Sequence, residues 1–208
     1  MNLCDIKRKN LSINDEKIID LQLKILSDTK LNISYPSGIT SLNPSSIKVS
    51  LIGFTEDENK EIEIGYVDII RLQNQIHNDF YHCNNIKEQL SSETFSTKMN
   101  EILEALNEIK NNYGLYCKTQ DKVSLFYIAK IFVNKECRNN GIGELLLIES
   151  EKLLKALYER HPFIFLTAFP FETKEENPKE EMLKLFNFYK KCGYEPINSN
   201  VYIKDNEE

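Results

Sequence analysis

Two hydrophobic rhythms run along this chain, one near helical spacing and one close to alternation, and together they divide it into elements. From Asp15 to Leu26 the positions Ile18, Ile19, Leu21, Gln22, Ile25 and Leu26 fall near helical spacing and predict a short amphipathic helix. Asn32 to Ser46 carries Pro36, Gly38 and Pro44 among Ser and Asn and reads as loop. Two β-rich runs follow, Ile47–Phe54 and Ile62–Leu72, separated by the polar stretch Thr55–Lys60, which predicts a hairpin. Glu63, Gly65 and Asp68 leave its second strand only partly alternating. Further on, Met99, Ile102, Leu103, Leu106 and Ile109 predict a helix over Lys98–Ile109. The polar stretch Gln73–Thr97 before it reads as an insertion or flap.

The last third is patterned more strongly. Val123–Val133 is rich in β-branched and aromatic residues and predicts a strand. A polar loop, Asn134–Gly143, ends in two glycines, and Leu145, Leu146, Ile148, Leu153, Leu154 and Leu157 then predict a helix to about Glu159. Phe163–Phe169 is almost wholly apolar, as a strand covered on both faces would be. Two strands joined by a helical crossover form a βαβ unit, so this pair is expected to run parallel. Asn177, Pro178 and Glu180 mark the start of one more helix, as N-cap, first helical residue and capping-box acid. Met182, Leu185, Phe186 and Tyr189 form its apolar stripe, and Gly193 closes it in the left-handed conformation. A hairpin of Tyr194–Ile197 and Val201–Ile203, turning at Asn198-Ser199-Asn200, ends the pattern. The fold class expected is therefore α/β in a single domain over residues 1–208. Within it, residues 1–46 form an N-terminal helix and loop, 73–121 an insertion or flap, and 123–204 the functional core.

Composition narrows the class. No apolar run approaches the roughly 20 residues that cross a bilayer, and the N-terminus lacks the apolar segment of a signal peptide. The five cysteines, Cys4, Cys83, Cys117, Cys137 and Cys192, are odd in number and never paired as C-x-x-C. This points to reduced thiols in a cytoplasmic protein and to no metal site. A net charge of −6 argues against nucleic acid as partner, because its binders usually carry a basic face.

The loop Arg138-Asn139-Asn140-Gly141-Ile142-Gly143 is where chemistry is expected. A helix N-terminus leaves about four backbone N–H groups unpaired and carries a positive dipole end, so a loop that feeds one favours phosphate. Gly141 and Gly143 let the backbone approach an anion where a Cβ would obstruct it. Lys135 and Arg138 add positive charge to a chain that is acidic overall. A dinucleotide fingerprint would need a third glycine where Leu146 stands, and a P-loop would need Gly-Lys-Ser/Thr, which is absent.

Arg138-x-x-Gly141-x-Gly143, preceded by the strand Ile128–Val133, resembles the coenzyme A pyrophosphate motif of the GNAT superfamily of N-acetyltransferases. Phe188-Tyr189-Lys190-Lys191-Cys192-Gly193-Tyr194 resembles that family's F-Y-x-x-x-G-F/Y segment, in the same order and on the last helix. The resemblance covers about Ile128 to Ile203 and extends loosely to Ile47–Leu72. It implies a GNAT-like mixed, mostly antiparallel sheet with a central splayed parallel strand pair and helices on both faces. It also implies acetyl-CoA as cofactor and a primary amine as acceptor. Backbone groups of Ile131, Phe132 and Val133 would pair with the pantetheine arm like an added strand. The backbone of Arg138, Asn139, Asn140, Gly141, Ile142 and Gly143, with Glu144, would hold the pyrophosphate. A backbone N–H of Phe132 or Val133 would face the reacting carbonyl, and the Tyr189 hydroxyl would protonate the departing thiolate.

Two positions depart from the family pattern. Met182 stands where many members carry Asn, and Val123–Val133 lacks the carboxylate that many use as general base; Lys130 projects from that strand instead. Glu63, Asp68, His77, His82, Glu172 and a water chain remain as candidates for the base. A non-catalytic acyl-CoA-binding sensor or interaction module on the same fold is the alternative function.

Overall fold

A computed structural model describes residues 11–28, 45–55, 60–72, 96–113, 124–158, 162–169 and 178–205. Among the described residues the fold is α/β, with one mixed sheet of eight strands that is mostly antiparallel with one parallel pair. Strands β1 (Ser12–Ile13), β2 (Glu16–Asp28), β3 (Ser45–Thr55) and β4 (Glu61–Leu72) come first. Helix α1 (Ser96–Tyr113), β5 (Ser124–Val133), a 3-10 turn (Lys135–Cys137) and α2 (Ile142–Leu157) follow. β6 (Pro162–Thr167), α3 (Pro178–Lys191), β7 (Glu195–Pro196) and β8 (Val201–Asp205) complete the order. The strands lie in the order β1-β2-β3-β4-β5-β6-β8-β7. β5 and β6 are neighbours joined through α2, the connection that a parallel pair requires. The chain divides into two compact units. One is drawn from Met1–Leu31, Ser45–Ile70 and Ile128–Glu159, the other from Asn32–Pro44, Arg71–Tyr127 and Arg160–Glu208.

In the first unit, the helix expected from Asp15 to Leu26 is instead the long strand β2. The reason is a β-bulge. β2 pairs with β3 as Ile18↔Thr55 and then, one residue out of step, as Asp20↔Phe54 and Leu21↔Gly53. The extra residue, Ile19, sets Ile18 and Leu21 on one face of the sheet, where both are buried. A separation of three, which imitates a helix in the sequence, is thus the trace of a strand with one residue inserted. Asn14 and Asp15, both at positive φ, turn β1 into β2.

α2 packs on β3, with Leu145, Leu146 and Leu147 fully buried. Its approach depends on Gly65. A Cβ there would stand 2.6 Å from the Phe132 carbonyl oxygen and 3.2 Å from Leu146 Cδ1. Since a backbone oxygen cannot swing aside, the glycine that breaks the alternation of β4 is a packing requirement.

The second unit holds α1 against β6 and β8, and α3 beside β7. Ile102, Ala105, Leu106 and Ile109 are the buried stripe of α1, and Phe163 to Leu166 of β6 are all buried. The strand expected over Phe163–Phe169 begins one residue earlier and stops at Thr167. β8 pairs antiparallel with β6 from Thr167↔Val201 to Phe163↔Asp205 and with β7 at Glu195↔Ile203, so the closing hairpin forms where expected. The loop residues of 29–44, residues 73–95 of the expected flap and Asn177 lie outside the described residues, while Ser96 and Thr97 are the first residues of α1.

Candidate functional site

The loop after β5 is built largely by its own polar side chains. Asn134 N donates to the Ile64 carbonyl at 2.8 Å, and Asn134 Oδ1 accepts the Glu136 N–H at 3.1 Å, which starts the 3-10 turn. Cys137 is buried and points its thiol toward the Ser12 carbonyl 3.9 Å away. The Asn14 N–H reaches Glu136 Oε2 at 2.7 Å, so the β1–β2 hairpin braces the same turn. Arg138 Nε donates to the Val133 carbonyl at 3.1 Å, and Asn140 Nδ2 donates to the Cys137 and Arg138 carbonyls. Asn139 and Gly141 both adopt left-handed backbone, at φ 62° and 81°.

This winding delivers the chain into α2 with Gly141 as its N-cap and no side chain capping the helix. The first intrahelical bond in that turn is Leu145 N to the Gly141 carbonyl, 3.0 Å long. The N–H groups of Ile142, Gly143 and Glu144 precede it, at the positive end of a 16-residue helix. Ile142 is anchored in the core, which fixes where these donors point. Arg138 and Asn139 are exposed; Asn140, Gly141, Gly143 and Glu144 are half-buried, as are Ile131, Phe132 and Val133 on β5. All these residues belong to the first unit. Donors of this kind, with glycines at the close-approach positions, suit an anion of phosphate type.

Beside them on the sheet lies a polar and aromatic patch. Tyr66 and Phe132 have ring centroids 5.4 Å apart. Lys48 Nζ lies 4.0 Å above the Tyr66 ring and pairs with Glu63 at 2.7 Å, and Lys130 Nζ lies 5.4 Å from the same ring. Ser50 Oγ donates to Glu63 at 3.0 Å. Burial pushes the Asp68 carboxyl up from the usual range, with Glu63 adding to this while Lys48 and Lys130 oppose it. Of the candidate bases, Glu63 is thus engaged by Lys48 and Ser50, and Asp68 has the perturbed proton affinity. His77, His82 and Glu172 lie outside the described residues.

Tyr189 belongs to the second unit. It is only 8% exposed, in an aromatic cluster with Phe188, Tyr202 and Tyr194 at centroid distances of 5.1, 5.2 and 6.0 Å. Burial, joined by Cys192, Tyr202 and Tyr127, holds its hydroxyl far above the ordinary tyrosine range. The segment around it ends α3 as a Schellman motif. Tyr194 N donates to the Tyr189 carbonyl and Gly193 N to the Lys190 carbonyl, both at 3.0 Å, with Gly193 at φ 84°. Gly193 and Tyr194 therefore have a structural reason to stand where they do, and only the Tyr189 hydroxyl is left for chemistry.

A concavity of about 490 Å³ opens in the second unit, lined by Glu101, Glu104 and Glu108 of α1, by Thr167 and Phe169, and by the Asn198–Val201 turn. Sequence reasoning missed these glutamates. Their spacing, three and then four residues, was legible as one acidic face beside the buried stripe of α1. Among the described residues no His, Cys, Asp and Glu group could hold a metal ion, and no helix is long and apolar enough to cross a membrane. No protein-family model matches the chain, and no curated protein sequence matches it.

Proposed function

We propose that the chain is an acetyl-CoA-dependent N-acetyltransferase that moves an acetyl group to a primary amine. The observation that carries the reading is the start of α2, where a left-handed glycine replaces a capping side chain and leaves backbone N–H groups for a pyrophosphate. The strand order ending β5-β6-β8-β7, with a helix crossing from β5 to β6, supports a central parallel pair that could splay. When bound, acetyl-CoA supplies an activated thioester. Ile142, Gly143 and Glu144 hold its phosphates through their N–H groups, and Arg138, tied to the Val133 carbonyl, keeps the loop closed on the strand. Ile131, Phe132 and Val133 contribute backbone to the pantetheine arm.

Tyr189 keeps its proton throughout the working pH range, because its pKa is raised. Full transfer to a thiolate, whose conjugate acid has a pKa near 8.5, would be uphill. Tyr189 thus serves as a hydrogen-bond donor that stabilises the departing sulfur. Asp68, whose carboxyl holds its proton more tightly than usual, is the residue best tuned to accept one from the amine. The three glutamates around the second unit's concavity favour an acceptor with positive charge. Cys137 and Cys192, neither of them in a disulfide, fit the cytoplasm as the compartment.

A second reading, a non-catalytic acyl-CoA-binding protein, is favoured by the burial of Tyr189 and by Met182 on α3. One experiment separates the two. Acetyl-CoA is incubated with a panel of amines and free thiol is followed; thiol release that depends on the amine is the expected result. Thermal stabilisation by acetyl-CoA without any turnover would leave the binding protein, and neither effect would end both readings.

A further inference from the structure

β2 is the longest strand among the described residues, at 13 residues, and only one of its edges is fully used. Along that edge it pairs with β3 from Ile18 to Asp28. Its other edge meets β1 at Glu16 and Lys17, and the Ile18 N–H donates to the Leu11 carbonyl at 2.9 Å. From Ile19 onward no described strand lies beside it. The same stretch carries Ile19, Ile25 and Leu26, which are 56%, 50% and 60% exposed. Natural sheet edges are usually short, or interrupted by proline, bulges or inward charge. Beyond the bulge between Ile18 and Asp20, β2 runs on to Asp28 without a further register shift.

Its charges are arranged symmetrically. Asp20 and Lys24 stand two residues either side of Gln22, and Ile19 and Ile25 three either side. We propose that this edge is a homodimer interface, in which two copies pair antiparallel about a two-fold axis at Gln22. Asp20 then faces Lys24 of the second copy, Leu21 faces Leu23 and Ile19 faces Ile25, each contact occurring twice. Moving the axis to Leu21 would set Lys24 against Ile18, and moving it to Leu23 would set Asp20 against Leu26. Only the Gln22 axis matches both charge and apolarity. Lys24 also pairs with Glu61 of its own chain, and an ammonium with three donors can serve both carboxylates. Backbone hydrogen bonds across the axis continue the sheet from one copy into the other.

Light scattering after size-exclusion chromatography, across a dilution series, should give twice the chain's 24.3 kDa at the high end. Asp20→Lys, which sets like charges opposite each other, and Ile25→Lys should shift the protein toward a folded monomer whose melting temperature no longer rises with protein concentration. Register is read by oxidation. Gln22→Cys lies on the axis, where opposed Cβ atoms are about 4.5–5.5 Å apart, and should form a disulfide-linked dimer. Asp20→Cys would face its own copy only across four residues of strand, roughly 13 Å, and should not. A parent protein that stays monomeric throughout overturns the proposal. So does a dimer untouched by both lysine variants, or cross-linking at Asp20→Cys equal to that at Gln22→Cys.

Discussion

Two helices of this protein are bounded by a left-handed glycine, α2 at its start and α3 at its end, and the two glycines leave the backbone in opposite conditions. Gly141 and Gly193 have almost the same φ, 81° and 84°. After α3, the turn at Gly193 returns N–H groups to the Tyr189 and Lys190 carbonyls, so the helix end satisfies itself. Before α2, Gly141 is the N-cap and no side-chain hydrogen bond caps the helix. The same conformational freedom closes one helix and opens the other. A ligand can use only the open end, since a carbonyl that already accepts a hydrogen bond has less to offer.

The sharpest way to break this comparison is at Tyr189, whose carbonyl belongs to the closed end and whose hydroxyl does not. Tyr189→Phe keeps the ring among Phe188, Tyr194 and Tyr202 and removes one O–H. Turnover should fall by about 10²–10³-fold, the loss expected for one hydrogen-bond donor to developing charge, with melting temperature and acetyl-CoA affinity nearly unchanged. Full activity in the Phe variant, with chemistry shown to be rate-limiting, would return Tyr189 to the aromatic core.

Gly141→Val comes next. A β-branched residue at φ 81° is strained by about 1–3 kcal/mol and brings a side chain to the face offered to phosphate. Its own melting temperature should drop moderately, while the stabilisation that acetyl-CoA confers should largely vanish. Equal ligand stabilisation of variant and parent would sink the pyrophosphate assignment.

Gly193→Ala sharpens the contrast from the other side. The added Cβ would meet Lys204 only at 3.4 Å, so the cost is the left-handed backbone itself, about 1–2 kcal/mol. Stability should fall and ligand stabilisation should survive, the reverse of the balance expected at Gly141. Denaturant unfolding with and without acetyl-CoA measures both quantities.

The smallest effect on stability is expected at Asp68. Its folded pKa is raised, so between the unfolded and folded values the native protein holds more protons and stability declines as pH rises. Asp68→Asn removes that decline. Melting curves of variant and parent should coincide below the ordinary carboxylate range and separate at neutral pH, with the variant modestly higher. A separation that ran the other way would mean that Lys48 and Lys130 outweigh the burial.

The elements after Val123 were legible because local signals coincide there with the tertiary outcome. Apolar runs, the Gly141 and Gly193 boundaries and the Asn198–Asn200 turn all act over a few residues, and each element forms within about two residues of where these predict, β6 stopping at Thr167 and β7 spanning only Glu195–Pro196. The candidate loop was legible for the same reason: its glycines and its place between a strand and a helix are local properties. β2 was not legible. A bulge changes the phase of a strand only relative to its partner, and β3 lies about thirty residues away in register with it. Nor could sequence say that Gly65 makes room for the Phe132 carbonyl, that Asn14 reaches across to Glu136, or that the burial of Tyr189 raises its pKa. Local chain chemistry determined where helices start and stop. Pairing between distant segments decided which strand edges are joined among the described residues and which titratable groups are taken out of water, because register and burial are properties of neighbours rather than of the residue itself.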